Sequence, residues 1–175
     1  MTDLLDLRNT EMTGFRVERD SDGDEYAVVT VRYGAPSPGA LGIKGVQRHG
    51  CRRRRVADTP LHGRPAVLEV EVPRLKNLAT GKVSAPDVHW IHPRFRMTRR
   101  LREHICQRAA RDSFADIAAD VGLGATTVSK VVKEHARESE ELFTPAAPRL
   151  LGIDEAHIAG RKRAVLTDVE QRHVV

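Results

Sequence analysis

Five polar side chains in the stretch ATTVSKVVKEHA (residues 125–136) carry the chemistry needed to meet a nucleic acid. Thr126, Thr127, Ser129, Lys130 and Lys133 alternate with Val128, Val131 and Val132 at helical spacing, so a helix that buries the valines turns hydroxyls and ammonium groups outward. Such donors bond phosphate oxygens and base edges. Two further basic groups precede them: Arg99, Arg100 and Arg102 in MTRRLRE, and the run Arg52-Arg53-Arg54-Arg55. A different chemistry is suggested by Asp154, which closes the apolar run Leu150-Leu151-Gly152-Ile153. A carboxylate at the end of an apolar strand is costly unless it is paired or holds a cation, so this is a metal-ligand position.

The elements that must position these groups are legible nearby. Ser113 is placed to cap a helix, with Asp116 in capping-box position and Phe114, Ile117, Ala118 and Val121 forming its apolar face. Gly122 follows where a helix end favours positive φ, Leu123-Gly124 complete a short turn, and a second helix begins near Ala125. An earlier helix is expected from Thr98, a capping residue, through a Leu101, Ile105, Ala109 stripe. Three helices with this turn make a helix-turn-helix unit whose last helix reads DNA. The competing interpretation is an ordinary pair of helices whose valines are only core.

Charge favours the DNA interpretation. The 175 residues carry 29 Lys+Arg and 24 Asp+Glu, a net charge of +5. Residues 1–42 have a net charge of −4, residues 43–111 of +12 and residues 112–175 of −3, so a basic block runs into the helix-turn-helix, as expected of a phosphate-tracking protein. Whether Arg52 to Arg55 touch phosphates or form a solvated strand with two arginines on each face stays open at this level. No run approaches the roughly 18 apolar residues of a membrane span, no segment reads as a membrane anchor, and MTDLLDLRNT does not read as a signal peptide. The expected location is the cytosol. Cys51 and Cys106 are the only cysteines, and two reduced thiols are expected.

The remaining sequence is β-rich. Residues 12–33 form a hairpin around Asp20-Ser21-Asp22-Gly23-Asp24. Gly34 to Gly50, rich in Gly and Pro, is expected as loop. A second hairpin joins CRRRRVADTP to RPAVLEVEVPRL, with its break at Pro60 to Pro65; in the latter strand Leu68, Val70 and Val72 alternate with Val67, Glu69 and Glu71. Lys76 to His92 is irregular, with Trp90 expected as a core or interface anchor. Thr144-Pro145-Ala146-Ala147-Pro148 is a linker. A strand, a turn at Gly160, a second strand through Val169 and the start of a third then follow. The expected fold class is α+β: a β-hairpin region over 1–92, the helix-turn-helix over 93–142, and C-terminal strands over 149–175.

The tail LGIDEAHIAGRKRAVLTDVE resembles the opening of the catalytic domain of bacterial insertion-sequence transposases of the ISL-three type. RRRRVADTPLHGRPAVLEVEV and MTRRLREHICQRAARDSFADIAADVGLGATTVSKVV occur in that family's order. The resemblance implies double-stranded DNA as partner and makes residues 149–175 the first strands of an incomplete ribonuclease-H-like domain. Asp154 would be its first catalytic carboxylate, binding Mg2+ or Mn2+ only in a completed site. Glu155 and Asp168 are not assigned catalysis. The region 1–92 resembles the family's zinc ribbon without its paired cysteines: Ala35-Pro36-Ser37-Pro38-Gly39 and Leu75-Lys76-Asn77-Leu78-Ala79 stand in their places. No zinc is expected, and His49, Cys51, His89 and His92 are expected not to form a knuckle. The resemblance implies an Asp-Asp-Glu triad, and with only its first carboxylate the chain is expected to bind terminal repeats without performing strand transfer alone. A repressor or regulator derived from a transposase, or a decayed product, is the alternative. The open C-terminal sheet is expected to invite a homodimer or a partner that completes it.

Overall fold

The computed structural model describes residues 7–34, 45–142, 148–158, 160–170 and 172–174. It is an α+β chain in two compact units, Met1–His135 and Ala136–Val175. Residues 1–6 of the N-terminus, 35–44 of the expected loop and most of the expected linker lie outside the described residues.

The first unit is built on a mixed sheet. β1 (Thr10–Arg19) and β2 (Glu25–Tyr33) form the expected hairpin around the Asp-rich turn. In that turn the Asp20 carboxylate accepts the backbone N–H groups of Asp22 and Asp24, the Asx-turn chemistry that favours Asp at such positions. β3 (Val46–Leu61) and β4 (Arg64–Asn77) form the second hairpin. Its turn is tighter than the expected Pro60 to Pro65 break. His62 and Gly63 both take positive φ, 52° and 72°, which is the backbone a two-residue hairpin loop needs to match strand twist. Pro60 stays within β3, an edge strand, where a missing N–H is tolerated.

The Gly34 to Gly50 expectation is corrected at its end, because Val46 to Gly50 extend β3 and pair with the far end of β4. Gly50, at φ 74°, falls in the register shift between Arg48 and Cys51. A glycine that looks like a breaker in sequence thus supplies a β-bulge. The hairpins join through a parallel β2–β4 pairing, giving the order β1-β2-β4-β3, with β5 (Val83–Ser84) added beside the end of β4.

Cross-strand partners share a face, so the alternation in β4 sorts the whole sheet. Leu68, Val70 and Val72 are buried with Val29, Val31 and Val56, beneath Leu7, Val88, Trp90 and Ile91. Trp90, the sole tryptophan, is therefore a core anchor. The Lys76 to His92 segment, expected to be irregular, gives Lys76 and Asn77 to β4 and Val83–Ser84 to β5, and its later residues roof the core. The opposite face carries Glu69 and Glu71 and is charged.

α1 (Arg99–Arg108), α2 (Phe114–Val121) and α3 (Ala125–Leu142) follow. Leu101, Ile105, Ile117, Ala118, Val121, Val128 and Val131 form a second core with Met97. Two inward assignments change: Phe114 at the first position of α2 is 37% exposed, and Val132 is only partly buried. In the second unit β6 (Leu151–Ile158), β7 (Arg161–Asp168) and β8 (His173–Val174) make an antiparallel sheet, with Gly160 at φ 74° in the first turn.

Candidate nucleic-acid interface

The helix-turn-helix is fixed by local chemistry at each boundary. Thr98 Oγ1 accepts the Leu101 N–H at the start of α1, and Ser113 Oγ accepts the Asp116 N–H at the start of α2, satisfying donors that a helix start leaves orphaned. Gly122 ends α2 in the left-handed region at φ 66°, its N–H bonded to the Ala118 carbonyl. A Cβ at this position would stand 2.7 Å from Pro65 Cβ, so two independent constraints require glycine: the backbone conformation, and contact with the β3–β4 hairpin. Arg108 ties the two helices together by ion pairs to Asp112, at 2.6 Å, and to Asp120.

The turn delivers α3 with Val128 and Val131 fully buried. Around the helix, at 100° per residue, Thr126, Ser129, Lys130 and Lys133 lie on the side away from those valines. Thr126, Lys130 and Lys133 are exposed and Ser129 is half-buried. Thr127 sits nearer the buried side and is also half-buried. Glu134 pairs with Arg94 at 2.8 Å, which holds α3 to the segment entering α1.

The arginines of α1 have distinct environments. Arg99 is exposed and donates Nε to the His89 carbonyl at 2.7 Å. With half-buried Arg102 it lines a cavity of about 480 Å³ that also receives His92 and His135. Arg100 turns toward the sheet. Asp58, 2% exposed, accepts the Thr98 hydroxyl at 2.7 Å and Arg100 Nε at 2.7 Å on one oxygen, and Arg100 Nη2 on the other. Backbone bonds from Ala57 N–H to Arg96 and from Thr98 N–H to Ala57 flank this clamp. The sheet and the helices of the first unit are thereby locked at one buried carboxylate. Sequence reasoning missed Asp58 because its partners lie 40 and 42 positions away.

His92 is buried beside Arg102, Arg99 and Arg94. Its Nδ1 accepts the backbone N–H groups of Arg94, at 3.3 Å, and Phe95, at 3.2 Å. Burial foremost, then the Arg102 charge, pushes its pKa below the ordinary histidine value, against an opposing pull from Glu134.

The run Arg52 to Arg55 divides by face. Arg53 lies opposite Glu71 and pairs with it at 2.8 Å; Arg55 lies opposite Glu69 and reaches Glu69 at 3.8 Å and Glu18 at 3.5 Å. Arg16 and Arg32 complete this network against Glu18, Glu69, Glu71 and Glu11. Hydrogen bonds, from the Tyr26 hydroxyl foremost and then from Arg16, hold the Glu18 carboxyl below the usual carboxylate range. Arg52 and Arg54 stand opposite Val72 and Val70 on the other face, exposed, with no ion pair among the described residues.

In the second unit Asp154 is exposed on β6 opposite Val165, and its Oδ1 accepts the Glu155 N–H at 2.7 Å. Glu155 pairs with Lys162 at 2.8 Å. The burial that would make this carboxylate costly is absent, since Leu151 and Ile153 beside it are also exposed. Among the described residues no group of three or more His, Cys, Asp or Glu side chains could hold a metal ion. The described residues therefore do not by themselves form a divalent-metal site, and among them Cys51, exposed on β3, shares no such group with His49, His89 or His92. Among the described residues, no helix is long and apolar enough to cross a membrane.

Residues 86–136 match the family model of the helix-turn-helix domain of transposase family ISL3. The match covers all of α1 and α2 and the part of α3 that carries Thr126 to Lys133. No curated protein and no solved structure is a match for the chain. The central segment is thus a transposase-related, DNA-binding helix-turn-helix.

Proposed function

We propose that this chain recognises double-stranded DNA at the terminal repeats of an insertion element, as the DNA-reading part of a transposase of the ISL3 kind. The observation that carries the proposal is the face of α3 bearing Thr126, Ser129, Lys130 and Lys133, turned away from fully buried Val128 and Val131 inside the matched segment. In this reading α3 enters the major groove, its hydroxyls and Lys130 meet base edges, and Lys133 meets phosphate. Arg99 and Arg102 meet the backbone from α1. Arg100 is a positioning residue, because its guanidinium is committed to Asp58. The proposal is confined to recognition; no chemical step is assigned to Asp154.

Fluorescence anisotropy of the chain with the element's own ends and with a shuffled duplex, across a salt series, tests it. A preference for the ends that persists at physiological salt is expected. Lys130→Ala should reduce that preference by about 1–3 kcal/mol, the worth of a base-edge contact. Equal binding of both duplexes by the unmodified chain would refute the assignment.

A further inference from the structure

We propose a second DNA-contacting surface, a phosphate-binding notch formed by Arg52 and Arg74 on the core-side face of the sheet and flanked by Arg54. This inference rests on the DNA-binding function proposed above and extends it from the helices to the β-sheet. Three observations carry it.

First, the four consecutive arginines of β3 are chemically unequal. Arg53 and Arg55 face Glu71, Glu69 and Glu18 and have their charge matched there. Arg52 and Arg54 face the other way, are exposed, and have no ion pair among the described residues. Charged pairs that are already matched release few counterions on meeting a polyanion, whereas unmatched guanidinium groups gain the full phosphate interaction.

Second, the notch has a shape. Arg52 and exposed Arg74 line a recess of about 420 Å³ together with Ser84 of β5, and none of the residues lining it is acidic. Two guanidinium groups offer donors only and the Ser84 hydroxyl can add one more, a set suited to an oxyanion, and Arg matches phosphate geometry in bidentate fashion. Arg54 stands two residues from Arg52 on the same face, about 6.6 Å along the strand, close to two base-pair rises of one DNA strand.

Third, the strand that carries the surface is tied directly to the start of the helix-turn-helix. β3 is bridged to the entry of α1 at Ala57–Met97 and clamped at Asp58. Arg54 and Arg52 lie three and five residues from Ala57, about 10 and 17 Å along an extended strand. That is less than one helical turn of duplex, about 34 Å, from the point where β3 meets the helix-turn-helix. The proposed ligand is the phosphodiester backbone of the same duplex that α3 reads.

The test compares the intact chain with the Arg52→Ser/Arg74→Ser double variant and with Arg53→Ser, by anisotropy over a salt series on the element ends and on the shuffled duplex, after Trp90 fluorescence confirms the native core. Loss of two phosphate contacts lowers the slope of log K against log salt by about 1.8. The double variant is expected to show that drop and to lose affinity by the same factor on both duplexes, because phosphate contacts carry no sequence information. Arg53→Ser is expected to leave the slope unchanged. An unchanged slope in the double variant, or an equal drop in Arg53→Ser, overturns the notch while sequence preference in the intact chain upholds α3. Binding of neither duplex by the intact chain overturns both proposals.

Discussion

Removing the Asp58 carboxylate should loosen the helix-turn-helix from the sheet, and the size of the effect follows from who is left unpartnered. Asp58→Ala strips Thr98 of a hydrogen-bond acceptor and takes from the Arg100 guanidinium the carboxylate it meets through two nitrogens. Deleting one member of a buried pair costs about 3–5 kcal/mol. Arg100 keeps 31% of its side-chain surface exposed, so water can reach the freed donors and the expected loss is nearer about 2–3 kcal/mol. Arg100→Ala does the reverse, stranding a carboxylate that is 2% exposed, and should cost about 3–5 kcal/mol. The double variant strands neither charge. Its loss should fall short of the sum of the singles by at least about 1 kcal/mol, the signature of a direct interaction. Urea unfolding followed by Trp90 fluorescence suits the measurement, since this sole tryptophan lies in the core beside the clamp and its carbonyl accepts the Arg99 N–H. Single-variant losses that add within about 0.5 kcal/mol would refute the clamp.

Gly122→Ala should destabilise the first unit by more than about 1 kcal/mol, because the left-handed backbone alone costs roughly that much and the added Cβ meets Pro65. Gly124→Ala, which has open space around it, should stay within about 0.5 kcal/mol, and thermal melts of the two separate strain from generic loss of glycine. His92 supplies a pH dependence. Its pKa is lowered in the folded state, so the unfolded chain binds more protons between the folded value and the ordinary value of about 6.5, and stability rises with pH across that window. The contribution is present in full above about pH 6.5 and is lost as pH falls toward and below the folded value. Melting temperatures from pH 7.5 to 5 should drop less steeply in His92→Asn than in the unmodified chain; parallel curves would remove His92 from the account.

Where the determinants of structure are local, the sequence was readable. Thr98, Ser113 and Gly122 cap or end helices by contacts within four residues, and the valine spacing in 128–131 sets which side of α3 is buried. The Asp20 turn is local in the same sense. Non-local pairings were not readable. Nothing in AVVTV or AVLEV distinguishes a parallel β2–β4 partner from an antiparallel one, and nothing in VADTP marks Asp58 as the acceptor for a helix 40 residues on. Gly50 was read as a breaker because a bulge requires the same φ > 0 as a turn. The apolar run before Asp154 suggests burial, whereas β6 leaves Ile153 72% exposed; hydrophobic pattern gives period and not environment.

The division of β3 by face also changes how the charge of the central block is understood. Summed over residues 43–111 it is +12, which as a single patch would attract any polyanion over a wide surface. In the fold, Arg53 and Arg55 are balanced by glutamates of β1 and β4, Arg64 by Glu25, Arg94 by Glu134, Arg100 by Asp58 and Arg108 by Asp112 and Asp120. Several of these acids lie outside the block, so its apparent excess is partly cancelled across sequence-distant contacts. On the sheet, Arg48, Arg52, Arg54, Arg74 and Lys76 of this block have no ion pair among the described residues, and on α3 Lys130 and Lys133 have none. The salt dependence of binding should then report how many of these groups meet phosphate, at about 0.9 of log-log slope per contact, with discrimination between sequences left to α3.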